Sequence, residues 1–79
     1  MKDIITVTLD NGSKDMELVF HYEDKTVNKN YIIYKELDKL KLYLASYKYM
    51  DNKYILDTDL SIDEINKINY IFKKYIENR

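Results

Sequence analysis

Seventy-nine residues with 13 basic and 14 acidic side chains make one small domain of net charge −1, and a chain this short buries only about 60 to 65% of its unfolded surface. It has no cysteine and one histidine, which excludes disulfides, thiolate chemistry and multi-histidine zinc sites and leaves packing to hold the core. No apolar run approaches the roughly 18 residues of a membrane span, and Met1-Lys2-Asp3 leads into a strand-like stretch rather than a signal-peptide core, so the expected location is the cytoplasm.

Ile4-Ile5-Thr6-Val7-Thr8-Leu9 and the run from Met16 to Tyr22 have strand character and flank Asp10-Asn11-Gly12-Ser13. Asn-Gly is a strong hairpin signal because both residues tolerate positive φ. A two-residue type I′ turn at Asn11-Gly12 sets Val7 opposite Met16 and Ile5 opposite Leu18, so apolar residues of both strands share a face. The pattern predicts strands over about 3–9 and 16–23.

A polar stretch from Glu23 to Asn30 leads to a third strand over about 30–35, centred on Tyr31-Ile32-Ile33-Tyr34. Lys35 to Lys39 leads to a fourth over about 40–48. Both are apolar on either face, so the side of the third strand that meets a helix stays open, while Leu40, Leu42 and Leu44 are the expected inward set of the fourth. Asp51-Asn52 is a turn candidate, and Tyr54-Ile55-Leu56 is either a short fifth strand, about 54–57, or an extended lead-in to a helix.

Leu60-Ser61-Ile62-Asp63-Glu64-Ile65 marks a helix start. Ser61 and Glu64 have the spacing of a capping box, in which each side chain accepts from the other's backbone amide, and Leu60 and Ile65 have the spacing of a hydrophobic staple. From Ile62 to Glu77, Ile65, Ile68, Phe72, Tyr75 and Ile76 recur at helical spacing, with Ile71 widening the stripe. Asp63 and Glu64 at one end and Lys73, Lys74 and Arg79 at the other complement the helix dipole. The predicted class is α+β: an antiparallel meander sheet of four to five strands with one C-terminal helix packed on one face. The other face and at least one sheet edge are then available to a partner.

Charge is unevenly spread. Residues 1–24 hold two lysines against six acids, residues 25–55 seven lysines against three acids, and this basic middle also holds six of the nine tyrosines. Tyrosines on a sheet can stack bases while lysines neutralise phosphates, which makes Tyr34, Lys35, Lys41, Tyr43, Tyr47 and Lys48 the candidate interaction surface. Tyrosine is also a good strand former and lysine a common guard of strand edges, and a net charge of −1 lacks the field of most nucleic-acid binders.

Signals for chemistry are weak. His21 has no second strong ligand at metal-binding spacing and takes a structural role. Asp57, Asp59, Ser61 and Asp63 alternate like the start of a calcium loop, but Ile62 stands where that loop needs glycine and Ile68 where it needs glutamate, so these acids belong to a helix N-terminus. Gly12 is the only glycine, which rules out the usual phosphate-cradling loops, and no serine has a nucleophile's context. No catalytic residue, cofactor or metal site is expected.

Ile4 to Gly12, Glu17-Leu18-Val19-Phe20, Asn30 to Tyr34, Ala45-Ser46-Tyr47 and Asp59 to Ile65, in this order and spacing, resemble the YrzB-like proteins, short bacterial domains of unknown function found mainly in Firmicutes. The likeness spans nearly the whole chain, although the lysine-rich middle departs from the acidic composition of that family. It implies a cytoplasmic bacterial protein and carries over no catalytic residue. The expected function is a non-enzymatic protein–protein interaction module whose partner is an unknown protein or, most simply, a second copy in a homodimer. The alternative is a nucleic-acid-binding accessory protein using the tyrosine and lysine face, and third comes a metal-binding protein or enzyme built on His21 and the acids from Asp57 to Glu64.

Overall fold

The structure, a computed structural model, describes residues 3–10 and 12–78. Five strands, β1 (Asp3–Leu9), β2 (Gly12–Asp24), β3 (Lys29–Glu36), β4 (Tyr43–Met50) and β5 (Lys53–Asp57), precede one helix, α1 (Ile62–Glu77). Each strand pairs antiparallel with the next, and β5 also pairs with β1, through Val7 opposite Tyr54 and Thr8 opposite Ile55. The sheet is therefore a closed barrel rather than the expected open meander. In an up-and-down chain of five strands the first and last run the same way, so the closing pair is parallel. Closure removes the two edges an open sheet would expose.

The reason for closure lies in β3. Tyr31, Ile32, Ile33 and Tyr34 are all buried, so this strand needs cover on both sides. Ile32 and Tyr34 face the barrel interior with Val7, Met16 and Ala45, and Ile5, Leu18, Tyr43, Tyr47, Tyr54 and Leu56 pack around them. Tyr31 and Ile33 face outward under α1, where Ile68 is fully buried and Val19, Phe20, Tyr22, Leu44, Leu60, Ile71 and Phe72 complete the second cluster. An open sheet would leave the first of these clusters in water.

β2 serves both clusters because its register slips by one residue between Leu18 and Phe20, a β-bulge at Val19. Leu18 lies opposite Tyr34 and points inward; Phe20 lies opposite Ile33 and points toward the helix. Alternation along a regular strand puts Leu18 and Phe20 on one face, and the bulge at Val19 separates them. His21 consequently lies opposite Ile32 on the interior side, but beyond the last β1 partner, and is exposed.

Register differs from expectation at the first hairpin as well. Leu9 lies opposite Gly12, Ile5 opposite Met16 and Val7 opposite Lys14, a shift that leaves every side chain on its expected face because the face alternates every residue. Gly12 has φ +107°, a conformation that costs other residues strain, while the Asn11 half of the expected turn lies outside the described residues. At the β4–β5 hairpin Asp51 and Asn52 both take positive φ, 53° and 64°, as the two central residues of a type I′ turn require, and the fifth strand forms.

The fourth strand begins at Tyr43, not Leu40. Tyr34 opposite Tyr43 is the last β3–β4 pair, and residues 37–42 form the connection, with Asp38 at φ 62° and the Lys39 amide donating to the Glu36 carbonyl. Leu40 and Leu42 are thus not inward: Leu40 is 93% exposed and Leu42 45%. Only Leu44 of that set is covered, and it packs on the helix side. The interior positions of β4 go to Tyr43, Ala45 and Tyr47.

Candidate functional site

The tyrosines and lysines of the basic middle segment separate. Tyr34 is 3% exposed inside the barrel, its ring stacked on that of Tyr43 at 5.5 Å, and Tyr47 turns the same way onto Tyr54 at 5.1 Å. Burial pushes the hydroxyl pKa of both Tyr34 and Tyr47 up. Tyr34 belongs to the barrel core, and Tyr43, Tyr47 and Tyr54 pack against it half-buried. Lys48 alternates outward and is exposed. Lys41 sits in the β3–β4 connection with its ammonium 5.2 Å from the centre of the Tyr43 ring.

Lys35 has a structural task there. Its ammonium donates to the Lys39 carbonyl at 3.1 Å and lies 3.5 Å from Glu17 Oε1, tying the connection to the barrel wall. With Lys35 at its base and Lys41 over Tyr43, this segment displays Leu37, Leu40 and Leu42 at the barrel end lined by Leu9, Met16, Tyr34 and Tyr43. A bulky apolar side chain as open as Leu40 contributes nothing to the folded core, and exposed apolar clusters of this kind are the usual substrate of protein contacts. Sequence alternation hid it, because Leu40-Lys41-Leu42-Tyr43-Leu44 reads equally well as a half-buried strand.

A second polar group, not foreseen from the sequence beyond its cap, locks α1 to the barrel. Ser61 accepts from the Glu64 amide at 3.1 Å, and Glu64 Oε1 accepts from the Ser61 amide at 3.0 Å, completing the capping box. Glu64 Oε2 accepts from Lys29 Nζ at 2.6 Å and from the Tyr31 hydroxyl at 2.7 Å. The Lys29 ammonium first, then the Ser61 amide and the Tyr31 hydroxyl, hold the Glu64 carboxyl down at about 2; burial first, then Glu64, pushes the Tyr31 hydroxyl up to about 12. One turn further, Lys67 donates to the buried Asp24, which also accepts from the Thr26 hydroxyl at 2.6 Å and the Thr26 amide at 3.1 Å. Lys67 and Thr26 lower the Asp24 pKa to about 2. Every member of the two groups has a structural partner, so they read as fasteners between helix and barrel.

A shallow groove runs between the β2–β3 turn and the β4–β5 hairpin, lined by Asn28, Lys29, Asn30, Tyr47, Lys48 and Asp57 among others. It offers amides, two ammonium groups and the buried Ser46 hydroxyl, which donates to the Asp57 backbone carbonyl at 3.4 Å. Asp57 accepts from the Asp59 amide at 2.9 Å, so its carboxylate is engaged in forming the turn before the helix. Among the described residues there is no group of three or more His, Cys, Asp or Glu placed to hold a metal ion, and no helix long and apolar enough to cross a membrane.

No known family, curated protein or solved structure matches this chain.

Proposed function

We propose that this chain is a non-enzymatic, cytoplasmic protein–protein interaction module, and that the β3–β4 connection is a contact element. The observation that carries this is Leu40, 93% exposed at the apex of a segment whose base is tied down by Lys35. A backbone already tied by Lys35 and by the Lys39 amide lowers the ordering cost of presenting Leu40 to a partner. Lys39 and Lys41 flank it, so the surface it fits is an apolar pocket bordered by carboxylates. Relation to the YrzB-like proteins is part of the same proposal and adds no activity to it.

The test compares affinity-tagged wild type and Leu40→Asp in bacterial lysate, with and without nuclease, identifying bound protein by mass spectrometry. A stoichiometric protein that survives nuclease and is lost with Leu40→Asp supports the reading. Recovery that disappears on nuclease treatment, unchanged by Leu40→Asp, overturns it in favour of single-stranded nucleic acid bound along the groove that carries Lys29 and Lys48.

A further inference from the structure

The barrel end that carries Leu40 also carries the kind of surface Leu40 fits. β1, β3 and β5 finish at this end, and β2 and β4 begin there. On the side where β5 closes onto β1, Leu9, Asp10, Leu56, Asp57, Thr58 and Asp59 line an open hollow of about 650 Å³. Leu9 and Leu56 are half-buried and form its apolar floor, and the exposed Asp10, Asp57 and Asp59 stand around them. Among the described residues that line this hollow none is basic. Across the barrel end the charge is opposite. Lys39 and Lys41 flank Leu40, and all three are exposed. The acids of that segment precede them: Glu36 lies 3.6 Å from the Lys14 ammonium, and Asp38 takes the left-handed turn.

We infer that the Leu40 segment binds the hollow between β5 and β1 of a second copy, so that two barrels meet end to end. Leu40 is 93% exposed and does not enter the hollow of its own chain, because Lys35 holds the Lys39 carbonyl at the far side of the barrel end. In the closed strand order the β3–β4 connection and the β5–β1 seam lie on nearly opposite sides. A two-fold axis lying across the barrel end therefore turns one copy over so that each Leu40 segment meets the other's hollow, and both contacts form together.

Charge selects this arrangement over the other end-to-end pairing. Laying the Leu40 segment on its own copy would set Lys39 and Lys41 against lysines and leave the hollows, each with three carboxylates, facing one another, whereas the crossed pairing seats each apolar apex and its two ammonium groups on an apolar floor among carboxylates. One end of a molecule measuring 29 × 28 × 19 Å offers less than the roughly 1,600 Å² of a standard interface, so the dimer is weak and concentration-dependent. The inference rests on the reading of the Leu40 segment as a contact element and names its occupant.

Two charge-reversed variants test the pairing. The first carries Lys39→Glu and Lys41→Glu, the second Asp10→Lys and Asp59→Lys; all four positions are exposed, Asp57 stays in place because its carboxylate accepts from the Asp59 amide, and circular dichroism checks that both fold. Sedimentation of the wild-type chain is expected to show dimer growing as concentration rises to about 1 mM. Each variant alone sets like charges together at both contacts and is expected to dimerise at least about tenfold more weakly, as is Leu40→Asp. In an equal mixture of the two variants both contacts again join opposite charges, and a heterodimer within about threefold of the wild-type affinity is expected. A wild-type chain that is monomeric at about 1 mM overturns the inference, and so does a dimer that survives Leu40→Asp or a mixture that associates no better than its components. A monomeric wild type that still captures another protein through Leu40 overturns the second copy and leaves the contact element standing, whereas failure of both measurements overturns the broader reading as well.

Discussion

Glu64 performs three tasks with one carboxylate: it closes the capping box through the Ser61 amide, and it accepts from Lys29 and Tyr31 on β3. The first task was visible in the sequence, because Ser61 and Glu64 stand three residues apart before an apolar stripe. The other two were not, because nothing local says which strand passes under a helix that begins 30 residues later. Both Glu64, whose ordinary value is 4.5, and Asp24, at 3.8, are depressed to about 2. As acid is added, the unfolded chain takes up protons at those ordinary values, while the folded carboxylates refuse them until about pH 2. The stability they contribute is therefore complete above pH 4.5 and is lost as pH falls from there toward 2. Thermal melting followed from pH 6 to pH 2 is expected to show a steep fall in Tm below pH 4.5, and the combined variant Asp24→Asn, Glu64→Gln a clearly shallower one. Ser61→Ala removes only the cap acceptor and is expected to cost about 0.5 to 2 kcal/mol in urea denaturation at pH 7.

At the scale of elements, what could be seen in the sequence depended on how much of the decision was local. The helix declares its start through the capping box and its extent through the apolar stripe, and it forms there, whereas Asp51-Asn52 marks a turn without saying whether a strand follows; the structure makes it a two-residue turn leading into β5. The fourth strand is different. Leu40-Lys41-Leu42 alternates as a strand does, yet the register in which Tyr34 meets Tyr43 leaves it outside the sheet, and register is a property of two strands rather than one. The bulge at Val19 is equally silent, since no residue type is required at it, although it decides that Phe20 and not Leu18 meets the helix. The two placements separate in a stability measurement. Ile68→Ala empties a fully buried site between α1 and β3 and is expected to cost about 2 to 5 kcal/mol, whereas Leu40→Ala at the open connection is expected to stay within about 0.5 kcal/mol of wild type. An inward Leu40 in a regular strand would instead give the two substitutions comparable costs.

For the whole molecule the decisive event is closure, and alternation in single strands does not report it, because a curled sheet and a flat one share the same period of two. The hint that was present is the run Tyr31 to Tyr34, apolar on both sides, in a chain with one helix and therefore one helical cover. A strand buried on both faces needs a second cover, and the rest of the sheet supplies it by rolling over. Rolling also turns Tyr34 from a presumed binding face into core, with Tyr43 and Tyr47 packed against it, and it moves the available apolar surface to the barrel end and the flank of α1. The seam that closes the barrel is short, Val7 with Tyr54 and Thr8 with Ile55, but Val7 is fully buried in it. If β1 and β5 were free edges, their outward amides would exchange with solvent by local fraying, at rates insensitive to the core. In the closed barrel the β1 and β5 amides that bond across the seam exchange only when the cylinder opens, which requires losing the packing around Val7. Hydrogen exchange followed by NMR is expected to show these amides protected to within about tenfold of those in the centre of β3. Val7→Ala, which gives up about 1.5 to 3 kcal/mol of burial, is expected to accelerate the seam and the β3 amides together; acceleration of the seam alone would mean that β1 and β5 come apart while the remaining sheet stays folded.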